Sequence, residues 1–217
     1  MPYAWAKDYA VARYNMIPDD YFNGYILEVG ARTGKMQLES RHGTKFREAN
    51  EQGRYLGIDI APIEDAPLRV VQMNFLDMKS ENKFDAIIAS EVLEHIPFRD
   101  WPKAFILMKK SLKLGGKVFI TTPHNERLED YINYYHSQTG GEYFQAHVTF
   151  GITKKVLEHF LPGLKSRVLK AGSPIREKNE QLGKALVRIV YRIIKRHPYA
   201  WNWFPRAHSL IVYWTKT

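Results

Sequence analysis

The 217-residue sequence contains no cysteine. Disulfides, thiolate nucleophiles and cysteine-based zinc sites are therefore excluded. It has no run of about 18 apolar residues, so no membrane-spanning helix is expected. The first residues, Met1-Pro2-Tyr3-Ala4-Trp5-Ala6-Lys7-Asp8, lack the apolar core of a secretion signal, and a cytoplasmic protein is the expectation. Acidic residues are almost missing from the last quarter. Residues 163–217 hold 12 Lys and Arg against 2 Asp and Glu, whereas residues 1–162 hold 20 against 21. The net charge of +9 is thus a local surface and not a property of the whole chain. Two phosphate-binding signatures are also missing. No strand pattern runs into Gly-x-Gly-x-x-Gly, and no glycine loop ends in Gly-Lys-Ser/Thr, which argues against dinucleotide and P-loop sites.

What is present is ordinary globular material, 45% hydrophobic and 25% charged, in a length that suits one α/β domain over 1–217. Tyr25-Ile26-Leu27-Glu28-Val29-Gly30-Ala31-Arg32-Thr33-Gly34-Lys35-Met36 organises the rest. An apolar run breaks at a glycine-bounded turn, the pattern of a buried parallel strand entering a loop and then a helix. The glycines are spaced Gly30-x-x-x-Gly34, with Glu28 two positions before the first. An acidic residue at that strand end would repel a pyrophosphate and suit an ammonium group. The loop therefore favours a cationic cofactor bearing an amino acid, and S-adenosyl-L-methionine (SAM) fits.

Residues 1–22 carry six aromatics and read as short cap helices, either packed on the sheet edge or acting as a lid. Strand patterns follow at 25–30, 55–60, 68–73, 84–89 and 117–122. Residues 41–54 are polar and read as partly loop. A helix is expected from Trp101 to Leu112, stopped by Gly115-Gly116 as a C-cap. Strands alternating with helices predict a doubly wound, Rossmann-like parallel sheet with its ligand beyond the carboxyl ends of the strands. Gly30, Asp59, Asn74, Glu91 and Pro123 all fall at such ends. Asp59 ends the second strand, where a carboxylate can accept both hydroxyls of a ribose; otherwise it is a turn residue before Pro62. Asn74 can pair with an adenine edge, and Phe75 either stacks on the base or is plain core.

Several of these stretches in this order resemble the motifs of class I SAM-dependent methyltransferases. They are Leu27-Glu28-Val29-Gly30-Ala31-Arg32-Thr33-Gly34, Gly57-Ile58-Asp59, Asn74-Phe75-Leu76-Asp77, Phe84 through His95, and Leu112-Lys113-Leu114-Gly115-Gly116-Lys117-Val118. The resemblance spans roughly residues 25–125. It implies a seven-stranded sheet, mostly parallel with an antiparallel edge, for which 165–170 and 209–214 are the last two strands. It also implies SAM binding: Glu28, Gly30, Ala31, Arg32 and Gly34 around the methionine part, Asp59 and Ile60 at the ribose, Asn74 and Phe75 at the adenine, and Ser90 nearby. Arg32 stands where the family usually has glycine, and Asn74 where it usually has an acidic residue.

On a helical turn Glu91, Glu94 and His95 would share one face. With His147 they resemble the ligand set of metal-dependent small-RNA 2′-O-methyltransferases and ubiquinone-pathway O-methyltransferases, which would imply Mg2+ or Mn2+. The Glu-x-x-Glu-His pattern also occurs in methyltransferases without metal. In that case His95, His124 or His147 is a candidate base, so the acceptor-side set is Glu91, Glu94, His95, His124 and His147.

Residues 173–206 read as an insertion between the last two strands. Within it, 180–196 repeat apolar and basic positions at helical spacing, and Tyr199, Trp201, Trp203 and Phe204 follow. That pattern suits packing on the sheet or in a homodimer, or association through 180–204 with an inner membrane surface, or RNA. The expected activity is SAM-dependent O-methylation of a small-molecule, glycan or lipid-linked acceptor. The alternatives are an RNA 2′-O-methyltransferase and a non-catalytic SAM-binding module.

Overall fold

A computed structural model describes residues 10–123, 152–171 and 207–217 of the chain. Seven strands form one sheet in the order β3-β2-β1-β4-β5-β7-β6. They are β1 (Ile26–Val29), β2 (Tyr55–Asp59), β3 (Val70–Gln72), β4 (Phe84–Ser90), β5 (Leu112–Pro123), β6 (Lys165–Ala171) and β7 (Ala207–Thr215). Neighbours among β1 to β5 are parallel, and β7 runs antiparallel to both β5 and β6. The seven-stranded, mostly parallel sheet expected from the sequence is therefore present. The reversed strand sits one place in from the edge, and β6 is the edge itself.

The central strands are apolar because both faces are covered. Ile26, Leu27, Ile87 and Ile88 are fully buried. One face packs against Trp101, Phe105 and Leu157 from the helices Trp101–Ser111 and Lys154–Phe160. The other packs against Tyr14, Ile17, Tyr21, Phe22 and Phe46. Residues 10–22 thus lie on the sheet, where Tyr21 donates to the Val118 carbonyl at 3.0 Å. Strand order reverses between β1 and β4, so the loops leaving their carboxyl ends diverge and open a crevice.

Two local expectations are corrected. Within the segment 41–54, read as polar and partly loop, turns flank a helix, Gly43–Glu51, that the sequence reading did not name. Its buried face is only Gly43, Phe46 and Ala49, too narrow a stripe to stand out as periodicity. Gly115-Gly116 does not cap the preceding helix, which ends at Ser111. Leu112 already pairs with Phe84, the register then jumps so that Lys117 meets Ala86, and Gly115 takes φ 76. Its N–H donates to the Lys216 carbonyl and the Gly116 carbonyl accepts from Lys216 N–H. The glycines form a bulge that lets β5 lie beside both β4 and β7. Among the described residues no helix is long and apolar enough to cross a membrane. Residues 1–9 of the N-terminal cap, His124, His147 and the insertion at 173–206, with the helical spacing read at 180–196, lie outside the described residues.

Candidate functional site

The crevice holds a cavity of about 870 Å³. Its first wall is the loop after β1, where Gly30 (φ 72), Arg32 (φ 49) and Gly34 (φ 76) all take left-handed backbone. A Cβ on Gly30 would stand 2.6 Å from Val92 Cγ2, so the close approach of β1 and β4 requires glycine there. Arg32 accepts the same backbone region at a cost of about 1 kcal/mol. That explains why glycine is usual at its position. Its N–H donates to Asp59 Oδ2 at 2.8 Å, and Ala61 N–H donates to Oδ1 at 2.9 Å. Asp59 is 8% exposed and lines the cavity. Each carboxylate oxygen keeps a second lone pair, so the pair can still accept from a cis-diol.

Beyond Asp59 the wall turns apolar. Ile60 is 61% and Met73 39% exposed, and both face the cavity. Asn74 Oδ1 accepts from Leu76 N–H at 3.0 Å, and its side chain stands at the cavity wall. Phe75 is 4% exposed and belongs to the main core cluster. Phe75 also lines the cavity, beside the more exposed Ile60 and Met73, so the apolar surface offered to a base comes from all three.

Glu28 does not sit where the sequence reading put it. It is fully buried and lies beneath the cavity wall. Oε1 accepts from Tyr14 Oη at 2.5 Å and Gln37 Nε2 at 2.7 Å, and Oε2 accepts from Tyr55 Oη at 2.6 Å. Burial raises its pKa, against the pull of those three donors. The residues in front of it, Tyr14 and Gln37, line the cavity instead.

The opposite wall carries the acceptor-side cluster. Ser90 Oγ lies 3.0 Å from Thr121 Oγ1. Glu91 takes φ 54, and only Leu93–His95 form a 3-10 turn, so Glu91, Glu94 and His95 do not share one helical face. Glu91 Oε1 accepts from Thr121 at 3.0 Å and Ser209 at 3.1 Å, and Oε2 lies 3.8 Å from Arg13 Nη1. Glu94 is 1% exposed, and Oε2 accepts from Thr122 at 3.2 Å while Oε1 has no partner among the described residues. Burial first, and then the charge of Glu91, raises the Glu94 pKa well above the usual carboxylate range. Glu94 is shut in at 1% exposure and Glu91 is already bonded to two hydroxyls, so the two carboxyls do not make a cation cage. Among the described residues no three His, Asp or Glu side chains come together as a metal site. The metal set Glu91, Glu94, His95 and His147 is therefore corrected for its first three members; His147 lies outside the described residues. Glu91, Glu94 and His95 still line the cavity together.

Tyr14, one of the six aromatics of residues 1–22 read either as packed on the sheet edge or as a lid, also lines it, as do Arg13, Gln37 and Met73, which were not singled out from the sequence. Of those three only Met73 carried a signal, as the last residue of an apolar run. The donor set fits SAM in two ways: a carboxylate for a ribose and exposed aliphatic faces for a base.

A family model described as a methyltransferase domain matches residues 7–151, well over half of the chain. A mitochondrial ubiquinone biosynthesis O-methyltransferase from Dictyostelium discoideum is 34% identical over 79 residues. That match covers 36% of this chain and 22% of that protein. A SAM-dependent methyltransferase from Archaeoglobus fulgidus superposes with TM-score 0.59 at 18% identity, covering 91% of this chain and 89% of the other. A 1,6-didemethyltoxoflavin-N1-methyltransferase from Burkholderia thailandensis superposes with TM-score 0.61 at 13% identity, covering 99% and 81%. The structural likenesses establish the fold, with its β3-β2-β1-β4-β5-β7-β6 sheet. With the match over 7–151, they place the chain in the methyltransferase-domain family of the class I SAM-dependent superfamily.

Proposed function

We propose that the chain methylates a hydroxyl group of a small-molecule, glycan or lipid-linked acceptor. The observation that carries this reading is the continuity of one cavity from Asp59 and Ile60 to Glu91, Glu94 and His95. Cofactor-type and acid–base side chains thus share a single space. The partial match to an O-methyltransferase supports oxygen as the acceptor atom. When bound, SAM supplies a methyl group already activated on a sulfonium, so the protein's task is mainly positioning. Asp59 accepts the ribose hydroxyls, Ile60 and Met73 cover the base, and Asn74 hydrogen-bonds its edge. On the acceptor side Glu94 is 1% exposed, and burial and the neighbouring Glu91 raise its pKa. His95 takes the hydroxyl proton, since an imidazole titrates near neutrality and this one lines the cavity.

His95→Gln is expected to slow methyl transfer by about 10²-fold or more while S-adenosylhomocysteine (SAH) binds as in the wild type. The test uses SAM labelled on its methyl group and a panel of phenolic, sugar and polyprenyl-linked hydroxyl acceptors, with single-stranded RNA alongside. Label stable to mild base as an ether on a small acceptor supports the proposal. Label found only on RNA, or on nitrogen, refutes it.

A further inference from the structure

Glu91 keeps one carboxylate oxygen open to the cavity. Its Oε1 accepts from Thr121 on β5 at 3.0 Å and from Ser209 on β7 at 3.1 Å. Those two bonds fix the carboxylate at the strand ends. Oε2 makes no hydrogen bond among the described residues, and Arg13 Nη1 stands 3.8 Å away. Yet Oε2 is not one of the buried polar atoms that lack a partner, so it is accessible. The Glu91 side chain is 15% and that of Arg13 12% exposed, and both line the cavity. Sheet order decides what meets that oxygen. The strands run β3-β2-β1-β4. Met73 and Ile60, offered to a base, follow β3 and β2; Asp59, suited to a ribose, ends β2; the Gly30–Gly34 loop leaves β1; Glu91 directly follows β4. Neighbouring strands lie about 4.8 Å apart. A ligand laid from base to ribose to the β1 loop therefore reaches the end of β4 with its next few atoms. In SAM those atoms are the amino-acid end.

We propose that Glu91 Oε2 accepts a hydrogen bond from the α-ammonium group of the cofactor, and that the Arg13 guanidinium takes the α-carboxylate beside it. The inference rests on the SAM-binding reading. An α-amino acid carries its two charges on one carbon, and Arg13 and Glu91 present the opposite charges 3.8 Å apart. At that distance the pair attracts without a hydrogen bond, and the ligand's own charges complete it as charge-assisted bonds. Because Thr121 and Ser209 already hold Oε1, Oε2 needs no rearrangement to receive the ammonium, which lowers the cost of binding. Glu91 thereby moves from the acceptor side of the site to the cofactor's. It is the accessible carboxylate that the sequence reading sought in Glu28, which is shut off behind Tyr14, Gln37 and Tyr55.

The test compares three ligands by calorimetry on the full chain: SAH, the analogue in which its α-amino group is replaced by hydrogen, and the analogue in which its α-carboxylate is a carboxamide. Wild-type protein is expected to prefer SAH over each analogue by about tenfold or more, as a hydrogen bond to a charged group implies. Glu91→Gln keeps the length and an oxygen for Thr121 and Ser209. It is expected to abolish the preference over the deaminated analogue and to bind that analogue as the wild type does. Arg13→Met is expected to abolish the preference over the carboxamide and to keep the other. Loss of an internal ion pair alone would weaken all three ligands equally and leave both preferences intact, and that result overturns the proposal. Equal affinity of the wild type for SAH and the deaminated analogue overturns it without any variant. Wild-type protein that binds none of the three defeats the SAM-binding reading itself, a failure distinct from loss of selectivity.

Discussion

Gly30→Ala is expected to lower the melting temperature by about 5–15 °C and to remove measurable SAH binding. Two costs add. Gly30 takes φ 72, and a side chain in left-handed backbone costs about 1–2 kcal/mol. The new Cβ would also lie 2.6 Å from Val92 Cγ2, and relieving such overlap in packed surroundings costs about 1–3 kcal/mol. The overlap cannot be relieved cheaply. Gly30 N–H and Ala31 N–H both donate to the Ile58 carbonyl, at 2.8 and 3.1 Å, so the loop is tied to β2. Moving the loop also moves Arg32 N–H away from Asp59, and the cofactor wall shifts with it. The two costs separate in a double mutant. Val92→Ala should recover the overlap part in the Gly30→Ala background and leave the backbone part, a coupling of about 1–3 kcal/mol. Equal melting temperatures for wild type and Gly30→Ala would show that the β1 and β4 ends are not held as close as the structure has them.

Relative to the wild type, Glu94→Gln is expected to gain stability as pH rises above the ordinary carboxylate range. In the folded state burial and the neighbouring Glu91 raise the Glu94 pKa well above the ordinary glutamate value of 4.5. Below that value both folded and unfolded chains carry the proton, and the wild type has the full stability this group allows. Above it the unfolded chain releases the proton while the folded chain keeps it. Stability then falls by about 1.4 kcal/mol per pH unit until the folded carboxyl itself ionises. Glutamine needs no proton and can donate to or accept from Thr122, so it escapes this loss. The other titrating groups are common to both proteins and cancel in the difference. Melting temperatures of the two proteins at pH 5, 6, 7 and 8 measure it. If the wild type instead gains on the variant as pH rises, Glu94 is an ionised carboxylate held by a cation. That outcome would reopen the metal reading.

Much of this site could be read from the sequence because buried parallel strands are continuous apolar runs that end abruptly. Tyr55–Asp59 and Phe84–Ser90 were placed to within a residue, and Asp59 and Glu91 therefore fell at strand ends where ligands bind. The helix Gly43–Glu51 was missed because it buries one narrow stripe against Tyr14 and Tyr55. Its remaining surface is as polar as a loop. Glu28 was legible as important and misread in role. Alternation along β1 cannot reveal that Tyr14 and Tyr55, from two other segments, close over it. Arg13 and Gln37 reach the cavity only through tertiary packing of residues 10–22 and of the one-turn helix Lys35–Glu39. No local pattern marks them. The bulge at Gly115 shows the same limit, since a glycine pair after a helix serves a cap or a bulge according to which strand lies alongside.

Isothermal titration of the full chain with SAH tests the central claim most directly. One SAH is expected to bind per chain with a dissociation constant between about 1 µM and 1 mM, and Asp59→Ala should weaken it by about tenfold or more through loss of the ribose acceptor. No heat of binding at millimolar SAH, or binding that Asp59→Ala leaves unchanged, would contradict the assignment of this cavity to SAM.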